Sequence, residues 1–475
     1  MNKRWIVALT VAGLLTGCTV GPKYTRPVVK APGVYRGADP STAANPNSLG
    51  DLKWFEVFKD DQLQSLIRTA LVQNYDVRDA VAREMEARAG FGITRSDQFP
   101  QIGVTGGTTS TQISTEGSII LPKNPNGGFS ITRTRNFGSI LLNLASFEVD
   151  IWGRLRKATE AARANLLASE ENRKAVVTTL VGDVASAYFD LLELDNELEI
   201  EKLTLTTRRK SLELIRTRNQ GGVATMLDVR QAEELVYTAE VAIPNTELQI
   251  EQTENQITLL LGENPGTIIR GPRLIAQEQA PPIPPGLPSA LLERRPDIRA
   301  AEQTLIAANA NIGVAKAAYF PEISLTGFLG TQSSQLSKLF TGATRAWSFV
   351  PQVAQPVFTA GRLKSTVKLT EAQKQEAVIQ YERAVQSGFT EVSDALIRQR
   401  RAKEIRVQQA LLVEAVRDRV RLAYMRYEGG VDTLLNALDA DRDLFNNELI
   451  LAQDRRNELL ALVQLYKALG GGWQQ

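Results

Sequence analysis

Apolar residues recur at alternating intervals of three and four in the first of two stretches that have no proline and very little glycine, residues 154–220 and 362–428. This spacing is typical of long helices that pack as coiled coils do. About 66 helical residues at 1.5 Å each would span roughly 100 Å, more than a globular domain uses. The first stretch carries two such seams side by side, which predicts a helix with a neighbour on each side, as in a ring of helices. The seams are Val177, Leu180, Val184, Ala187, Leu191, Leu194 and Leu198, and beside them Val181, Ala185, Tyr188 and Leu192.

Shorter elements accompany each long helix. A moderate helix is predicted over about 60–95 and again over 289–318, each followed by a Phe-Pro pair, because proline cannot continue a helix. Weak strand patterns are expected at 101–114, 137–152, 322–332 and 346–358, around loops at 115–133 and 332–343. Each long helix is followed by another of about 40 residues. The seam of the second of these is Leu435, Leu438, Arg442, Phe445, Leu449, Ala452, Arg456, Leu459, Val463 and Tyr466. The fold class is mainly α with a small β part.

The order of elements repeats along the chain, and the repeat can be measured. Adding 208 to the residue number carries Gly153-Arg154-Leu155 onto Gly361-Arg362-Leu363. A shift of 221 relates the upstream parts, including the two Phe-Pro pairs. Two constant shifts indicate a tandem duplication with one loop about 13 residues longer in the first copy. The predicted boundaries are repeat 1 at 51–262, a proline-rich connector at 263–288, repeat 2 at 289–470 and a C-terminal tail at 471–475.

The same glycine-containing turn sequence occurs once in each copy. Gly221 and Gly222 precede Val223, and Gly429 and Gly430 precede Val431. We expect both glycines of each pair to accept the left-handed conformation that ends a helix. A threonine three residues after the second glycine is expected to cap the next helix, with a polar partner three positions further on. The expected caps are Thr225 with Asp228 and Thr433 with Asn436. The turns would then form the far tip of two equivalent helical ribbons.

Composition excludes several classes of chemistry. The chain has no histidine and a single cysteine, Cys18, so a Ser/His triad, a His-ligated zinc and a Cys/His dyad are impossible. Exposed carboxylates are common, but none lies in a pocket-like pattern, and neither glycine turn is a phosphate-binding loop. A net charge of +2 provides no basic face for nucleic acid. We therefore expect no enzyme activity, no cofactor and no metal site.

The N-terminus explains the lone cysteine. Lys3 and Arg4 precede an apolar stretch that is too short to span a bilayer. Leu15-Thr16-Gly17-Cys18 then resembles a bacterial lipoprotein signal, which implies a signal peptide at 1–17 and a lipid on Cys18. In such lipoproteins, Thr19 in place of Asp favours the outer membrane. An ordinary signal peptide is the alternative. Residues 18–50 are interpreted as a lipidated tether, extended over 31–47, and we expect no other apolar stretch of about 18 residues, hence no transmembrane helix.

Four predicted strands pose a problem of closure. A sheet that spans a membrane must close on itself, since an open edge in lipid leaves backbone groups unpaired. Closed barrels have at least about eight strands. Several chains must therefore pool their strands: two would give eight and three would give twelve, the latter with an open lumen.

Several motifs together resemble the TolC-like outer-membrane efflux channel family, within it the lipid-anchored OprM/NodT branch. They include "FEVDIWGRLR" at 147–156, the two Gly-Gly-Val turns and the terminal "LYKALGGGW" at 465–473. The resemblance covers essentially the whole chain after Cys18. It implies a homotrimer with a twelve-stranded barrel in the outer membrane and an α-helical barrel in the periplasm. It also implies a periplasmic adaptor and an inner-membrane pump of the resistance–nodulation–division (RND) type as partners, with drugs or other small toxic compounds as cargo.

The resemblance also implies a periplasmic gate in the second-repeat turn. The family's motif there has a Leu, an Asp and an Arg, which correspond to Leu435, Asp439 and Arg442. Three copies of Leu435 would make an apolar constriction, and three of Asp439 an anionic ring that favours cations. Asp432 and Asp441 are weaker candidates for the same acidic tip.

The first-repeat turn departs from this motif, because Leu227 and Gln231 stand at the positions of Leu435 and Asp439. One acidic ring is therefore expected at that level.

Two other functions remain open at this point. One is an outer-membrane channel for protein secretion with an ATP-driven exporter, which the lipoprotein signal disfavours only by analogy. The other is a lipoprotein spacer made of coiled coils without a pore, which predicts no strands.

Overall fold

The structure of the protein, a computed structural model, describes residues 19–37, 48–112, 134–277 and 286–474. The lipidation predicted at Cys18 and the whole of the loop predicted at 115–133 lie outside these residues. The helices are α1 (Trp54–Val57), α2 (Asp61–Gln73), α3 (Tyr75–Ser96), α4 (Arg154–Gln220), α5 (Met226–Leu261), α6 (Leu291–Arg294), α7 (Pro296–Ala317), α8 (Arg362–Glu428) and α9 (Leu434–Ala468). The strands are β1 (Ile102–Gln112), β2 (Thr134–Glu148), β3 (Glu322–Ser333) and β4 (Arg345–Ala354). Short 3₁₀ turns lie at Leu49–Asp51, Leu274–Ala276, Pro288–Ala290, Leu336–Lys338 and Gly342–Thr344.

The long helices begin and end where the sequence predicts, but each moderate helix is divided in two. Asn74 separates α2 from α3: its Oδ1 accepts hydrogen bonds from Asp76 N at 2.8 Å and Val77 N at 3.1 Å, and its Nδ2 donates to Leu260 O at 2.9 Å. Arg295 separates α6 from α7 because the residue before a proline is pushed out of helical geometry. The single helices predicted over 60–95 and 289–318 are therefore wrong in this detail.

The chain divides into two compact units. Of the described residues, one unit comprises 19–26, 86–112, 134–166 and 304–378, and the other comprises 27–37, 48–85, 167–277, 286–303 and 379–474. The second unit holds the largest buried cluster, and both predicted seams of α4 belong to it. Leu198 is partly buried against the cluster, whereas the other members of the seams are buried. Along this part of α4, neighbours on both sides therefore cover the helix, as the paired seams predict.

The seams make α4 unusually apolar. It contains an 18-residue window with a mean hydropathy of 1.4, long and apolar enough to cross a membrane by length and composition, although 67% of the window is buried inside the chain. The expectation that no such stretch exists was wrong. A helix covered on two faces needs apolar residues around much of its circumference, which explains this composition.

The predicted seam of α9 holds for its C-terminal part and fails near the turn. Phe445, Ala452, Leu459, Val463 and Tyr466 are buried. Leu435 and Arg442, by contrast, are exposed. Leu438 is buried as predicted, but the other buried positions at that level are Leu434, Ala437, Ala440 and Asp441, so the covered face is rotated from the predicted one.

Part of the connector is tied to the second unit by a buried hydrogen-bond network. The Tyr188 hydroxyl donates to Asp60 Oδ2 at 2.8 Å and accepts from Gly271 N at 2.9 Å. Arg270 forms ion pairs with Asp195 at 2.9 Å and Glu254 at 2.5 Å. Tyr35 is buried against Phe389, so the extended tether predicted over 31–47 contacts the fold at this point.

The first unit contains a four-stranded antiparallel sheet in the order β1-β2-β3-β4. The register places one apolar side chain opposite another across all four strands, as Val104 opposite Leu142, Leu142 opposite Leu329, and Leu329 opposite Trp347. We call this side the apolar face; its members include Ile102, Val104, Ile140, Leu142, Leu144, Ile323, Leu325, Leu329, Trp347, Phe349 and Val353.

The opposite side of the sheet, the polar face, is made largely of small and polar residues. Asn143 Nδ2 donates to Thr105 Oγ1 across two strands of this face at 2.6 Å. Its members include Gly103, Thr105, Gly107, Ser139, Leu141, Asn143, Ser324, Thr326, Phe328, Ser348, Val350 and Gln352. Strands β1 and β4 are the edges, and within the described residues each pairs on one side only. An apolar face, a polar face and two free edges are what one segment of a barrel wall requires.

Candidate functional site

The two glycine turns have the same backbone conformation. Gly222 has φ +75° and Gly430 has φ +74°, and the valine after each returns a hydrogen bond to the preceding helix. Val223 N donates to Arg218 O at 2.9 Å, and Val431 N donates to Arg426 O at 3.0 Å. The first glycine of each pair, Gly221 or Gly429, is not in the left-handed region. The prediction that both glycines adopt it is therefore wrong for the first and confirmed for the second.

The caps that follow the turns differ between the repeats. Thr225 forms the predicted capping box: its Oγ1 accepts from Asp228 N at 3.2 Å, and its N–H donates to Asp228 Oδ2 at 2.7 Å. Thr433 precedes α9, but its side chain makes no capping hydrogen bond. The predicted pairing of Thr433 with Asn436 is wrong because the Asn436 amide donates instead to Asp432 Oδ1 at 2.7 Å.

Asp432 organises the second turn locally. It accepts hydrogen bonds from Arg426 Nε at 3.0 Å and from Thr433 N at 2.8 Å, in addition to that from Asn436. The Arg426 hydrogen bond is the main cause that lowers the pKa of the Asp432 carboxyl, followed by that from Asn436. Asp432 is therefore an ionised group whose oxygens are directed into its own turn.

Leu435, Asp439 and Arg442 lie on one exposed side of α9. The spacing of four and three residues places them along the same helical face. Leu435 is 50% exposed. Arg442 Nη2 lies 3.1 Å from Asp439 Oδ1, and their side chains are 58% and 42% exposed. The structure thus brings these three together and leaves them uncovered within a single chain.

Asp441 behaves differently from its neighbours. Its side chain is 9% exposed and accepts a hydrogen bond from Arg208 Nε at 2.7 Å. Arg208 also donates through Nη1 to Leu235 O at 3.0 Å and lies 4.8 Å from the Phe445 ring centre. As a member of an acidic tip, Asp441 was predicted wrongly, because its carboxylate is buried in an ion pair. Sequence reasoning missed Arg208, and no local pattern marks an arginine whose partner is so distant in the chain.

The environment of these residues is a second apolar cluster next to the turns. It contains Leu205, Leu212, Ile215, Val229, Ala232, Val236, Ala239, Tyr427, Leu434, Ala437 and Leu438. Arg218 covers the Tyr427 ring at 4.5 Å. The turns therefore rest on a packed apolar base that holds the exposed face of α9 in place. Across the described ranges, no group of three or more acidic or cysteine side chains is arranged to hold a metal ion.

Comparison with known proteins adds a family match to this geometry. The family model described as outer membrane efflux protein matches residues 66–263 and 287–471. The chain is similar to the toluene efflux pump outer membrane protein TtgC of Pseudomonas putida, with 37% identity over 480 residues, 100% of this chain and 97% of that protein. It is 35% identical to the cation efflux system protein CusC of Escherichia coli over 472 residues, 99% of each chain.

Solved structures agree with the sequence match. The open state of the MtrE outer membrane channel of Neisseria gonorrhoeae has a TM-score of 0.85 at 30% identity, covering 96% of this chain and 99% of that one. A crystal structure of CusC, determined in a study of folding and transmembrane channel formation, has a TM-score of 0.84 at 33% identity, covering 96% of this chain and 100% of that one.

Proposed function

The chain belongs to the outer membrane efflux protein family, and we propose that it releases drugs or other small toxic compounds from the cell. It is an outer-membrane exit channel of a tripartite efflux system, with its helical part in the periplasm. The relatives named for toluene, antibiotic and cation efflux support this class of cargo. The partners that this function needs are a periplasmic adaptor and an inner-membrane pump, which we propose to be of the RND type.

The four-stranded sheet is the observation that carries the channel function. Its apolar face fits the lipid, its polar face fits a water-filled lumen, and its two edges require strands from other chains. Three chains, as in the family's trimers, supply twelve strands and an open pore. A spacer without a pore predicts no strands, and the sheet contradicts that alternative.

Leu435 and Asp439 are our candidates for the periplasmic constriction, with Arg442 as the local partner of Asp439. Their exposure within one chain, above a buried apolar base, supports a role towards the channel axis. In a trimer, three Leu435 side chains would narrow the pore and three Asp439 carboxylates would favour cations. The two glycine turns at Gly221–Gly222 and Gly429–Gly430 form the tips that would face the adaptor. Asp432, held in its own turn, would add charge there without lining the constriction.

Single-channel conductance of the purified trimer in planar bilayers tests the gate. The variant Leu435→Ala/Asp439→Ala should raise the conductance and make cells leak periplasmic solutes, because both the apolar ring and its acidic neighbour are removed. The matched control is Leu227→Ala/Gln231→Ala, which makes equivalent changes in the first repeat. Wild-type conductance in the gate variant would remove these residues from the constriction.

Cys18 is our candidate for the lipid anchor, followed by the tether. Incorporation of labelled palmitate into the wild-type chain and its loss in Cys18→Ser would support the anchor. Equal labelling of the two chains would place the lipid elsewhere.

A further inference from the structure

The two junctions between a strand and a long helix differ in charge. In the first repeat, Asp150 accepts hydrogen bonds from Leu155 N at 3.1 Å, Arg156 N at 2.9 Å and Arg156 Nε at 3.1 Å. Glu148 accepts from Arg154 Nε at 2.9 Å. Arg154, Arg156 and two of the first backbone N–H groups of α4 are therefore satisfied by a carboxylate at the end of β2 and one in the linker, while Lys157 pairs with Glu160 within the helix.

The second repeat keeps the cations and loses the acids. The 208-residue shift relates Glu148 to Pro356, Asp150 to Phe358, Arg154 to Arg362 and Arg156 to Lys364. No carboxylate within the described ranges forms an ion pair with Arg362 or Lys364. Glu148, Asp150 and Glu322 line the same recess as Arg362, of about 600 Å³, but none of the three forms an ion pair with it.

Within the described residues, Arg362 and Lys364 at the start of α8 are consequently cations without an ion-pair partner. The first turn of α8 contains no acidic residue, while Arg362 and Lys364 both lie within it. The N-terminus of a helix carries partial positive charge of its own and favours anions. The backbone N–H groups of Leu363 and Lys364 occupy the positions that donate to Asp150 in the first repeat, and Phe358 cannot accept them. An external anion would replace the missing carboxylate.

The linker also presents apolar side chains to its surroundings. Val357 is 94% exposed and Phe358 is 88% exposed. They follow directly on β4, whose Trp347, Phe349 and Val353 belong to the apolar face. Along the chain, the order is therefore an apolar strand face, two exposed apolar side chains and then a helix with two cations in its first turn. This order matches a path from acyl chains to phosphate headgroups to water.

We propose that residues 355–364 bind an anionic phospholipid of the periplasmic leaflet, with Val357 and Phe358 among acyl chains and Arg362 and Lys364 on the phosphate. The proposal rests on the channel function, since it requires the sheet to cross the outer membrane. A second copy of the chain could cover the apolar pair instead. The unpaired cations favour lipid, because an apolar subunit contact would leave their charge unbalanced.

A spin label at position 358 distinguishes the surroundings of the linker. Phe358→Cys is labelled in reconstituted trimers, and the accessibility of the label to oxygen and to a water-soluble nickel complex is measured. Trp347→Cys on the apolar face and Ser348→Cys on the polar face are the references. The parent chain, whose only cysteine is Cys18, measures background labelling.

The expected result is that the label at position 358 is as accessible to oxygen as the label at the Trp347→Cys position, and is shielded from the nickel complex. Access to the nickel complex would place the linker in water, and an immobile label that neither reagent reaches would place it against a second copy; either result overturns the proposal. If the Trp347→Cys reference itself lacks contact with lipid, the sheet does not cross the membrane and the channel function fails instead.

Lipid binding tests the two cations separately. Native mass spectrometry of the detergent-solubilised trimer would measure binding of phosphatidylglycerol against phosphatidylcholine. Each cation near a membrane surface contributes roughly a fivefold gain in affinity, so Arg362→Gln/Lys364→Gln should weaken phosphatidylglycerol binding about 30-fold. Arg400→Gln/Lys403→Gln, further along the same helix, removes the same charge and should leave binding unchanged. Equal affinity of wild type and the 362/364 variant, or loss of the trimer in that variant irrespective of lipid, would overturn the proposal.

Discussion

Arg208 and Asp441 form a buried ion pair between the two repeats, 233 positions apart in the chain. The Nε–Oδ2 distance is 2.7 Å, and the side chains are 3% and 9% exposed. A charge removed from water is tolerated only when its partner is present. The pair therefore links α4 to α9 just below the glycine turns, where the exposed face of α9 must be held in place.

Removing one partner of this buried ion pair should destabilise the folded chain far more than removing one partner of an exposed ion pair of α9. Asp441→Ala leaves Arg208 buried and unpaired, which should cost about 3–5 kcal/mol of unfolding free energy. The matched control is Asp443→Ala, whose partner Arg419 is 51% exposed; that change should cost at most about 1 kcal/mol. Urea unfolding of the two variants measures the difference.

The double variant Arg208→Met/Asp441→Leu tests the cause of the loss. With both charges replaced by apolar groups, most of the stability should return. Equal destabilisation by Asp441→Ala and Asp443→Ala would show that the pair is not isolated from water.

The two glycines of each turn should respond differently to alanine. Gly222 and Gly430 are in the left-handed region, where a Cβ costs roughly 1–2 kcal/mol. A Cβ on Gly221 would meet only two carbonyl oxygens at 3.6 Å, an ordinary contact, so Gly221→Ala should be neutral or slightly stabilising. Thermal unfolding of Gly222→Ala and Gly221→Ala compares adjacent positions in one turn, and the reverse order of stability would refute the assigned conformation.

Glu193 is a buried acid on α4 that should make stability depend on pH. Burial is the main cause that raises the pKa of its carboxyl to about 8, and the hydrogen bond with Glu197 is the second. Asp190 adds to the rise, whereas Arg456 of α9, 3.3 Å from Glu193, opposes it. Gln453 of α9 donates to Glu197 at 3.0 Å. At neutral pH, Glu193 therefore holds a proton in the folded chain that it releases when unfolded.

The sign of the pH effect follows from this difference. The unfolded carboxyl titrates near 4.5 and the folded one near 8, so stability is greatest below about 4.5 and falls as pH rises through 8. Glu193→Gln, which cannot ionise, should flatten this profile and exceed wild type above about pH 8. Thermal unfolding across this range measures both chains, with Glu404→Gln, an exposed partner of Arg401, as the control. Parallel profiles for wild type and Glu193→Gln would contradict the assignment.

The two faces of the sheet should tolerate charge differently. Trp347 lies on the apolar face and Ser348 on the polar face, adjacent in β4. Arginine on the lipid side of a barrel costs about 2–4 kcal/mol near the membrane midplane, whereas lumen positions accept it. Trp347→Arg should therefore reduce assembly into membranes, and Ser348→Arg should mainly alter ion selectivity. Yields of folded trimer and reversal potentials provide the two readouts, and equal yields would mean that the faces were assigned wrongly.

Much of this architecture could be predicted from the chain because its signals are local and periodic. The two 67-residue helices lie in stretches without proline, the first with a seam from Val177 to Leu198, and the glycine turns recur at a fixed shift. The details that failed depend on which of several possible partners a side chain takes. In the sequence, nothing distinguishes Asp441 from its exposed neighbours, because its partner Arg208 is distant in the chain. Thr433 has the position of a helix cap, but Asp432 accepts the hydrogen bond from Asn436 instead. The exposed face of α9 near the turn likewise depends on which residues the apolar base covers.

The unpaired edges of β1 and β4 have a consequence for how subunits fail together. Each subunit supplies two edges, β1 and β4, to the common wall, so one copy with a damaged edge strand leaves one junction between subunits unpaired. A defective copy made beside an intact one should thus act dominantly, because every ring that includes it remains unsealed. The phenotype of such a mutation would therefore be set by the mixed assemblies that the cell forms, and not by the amount of intact chain alone.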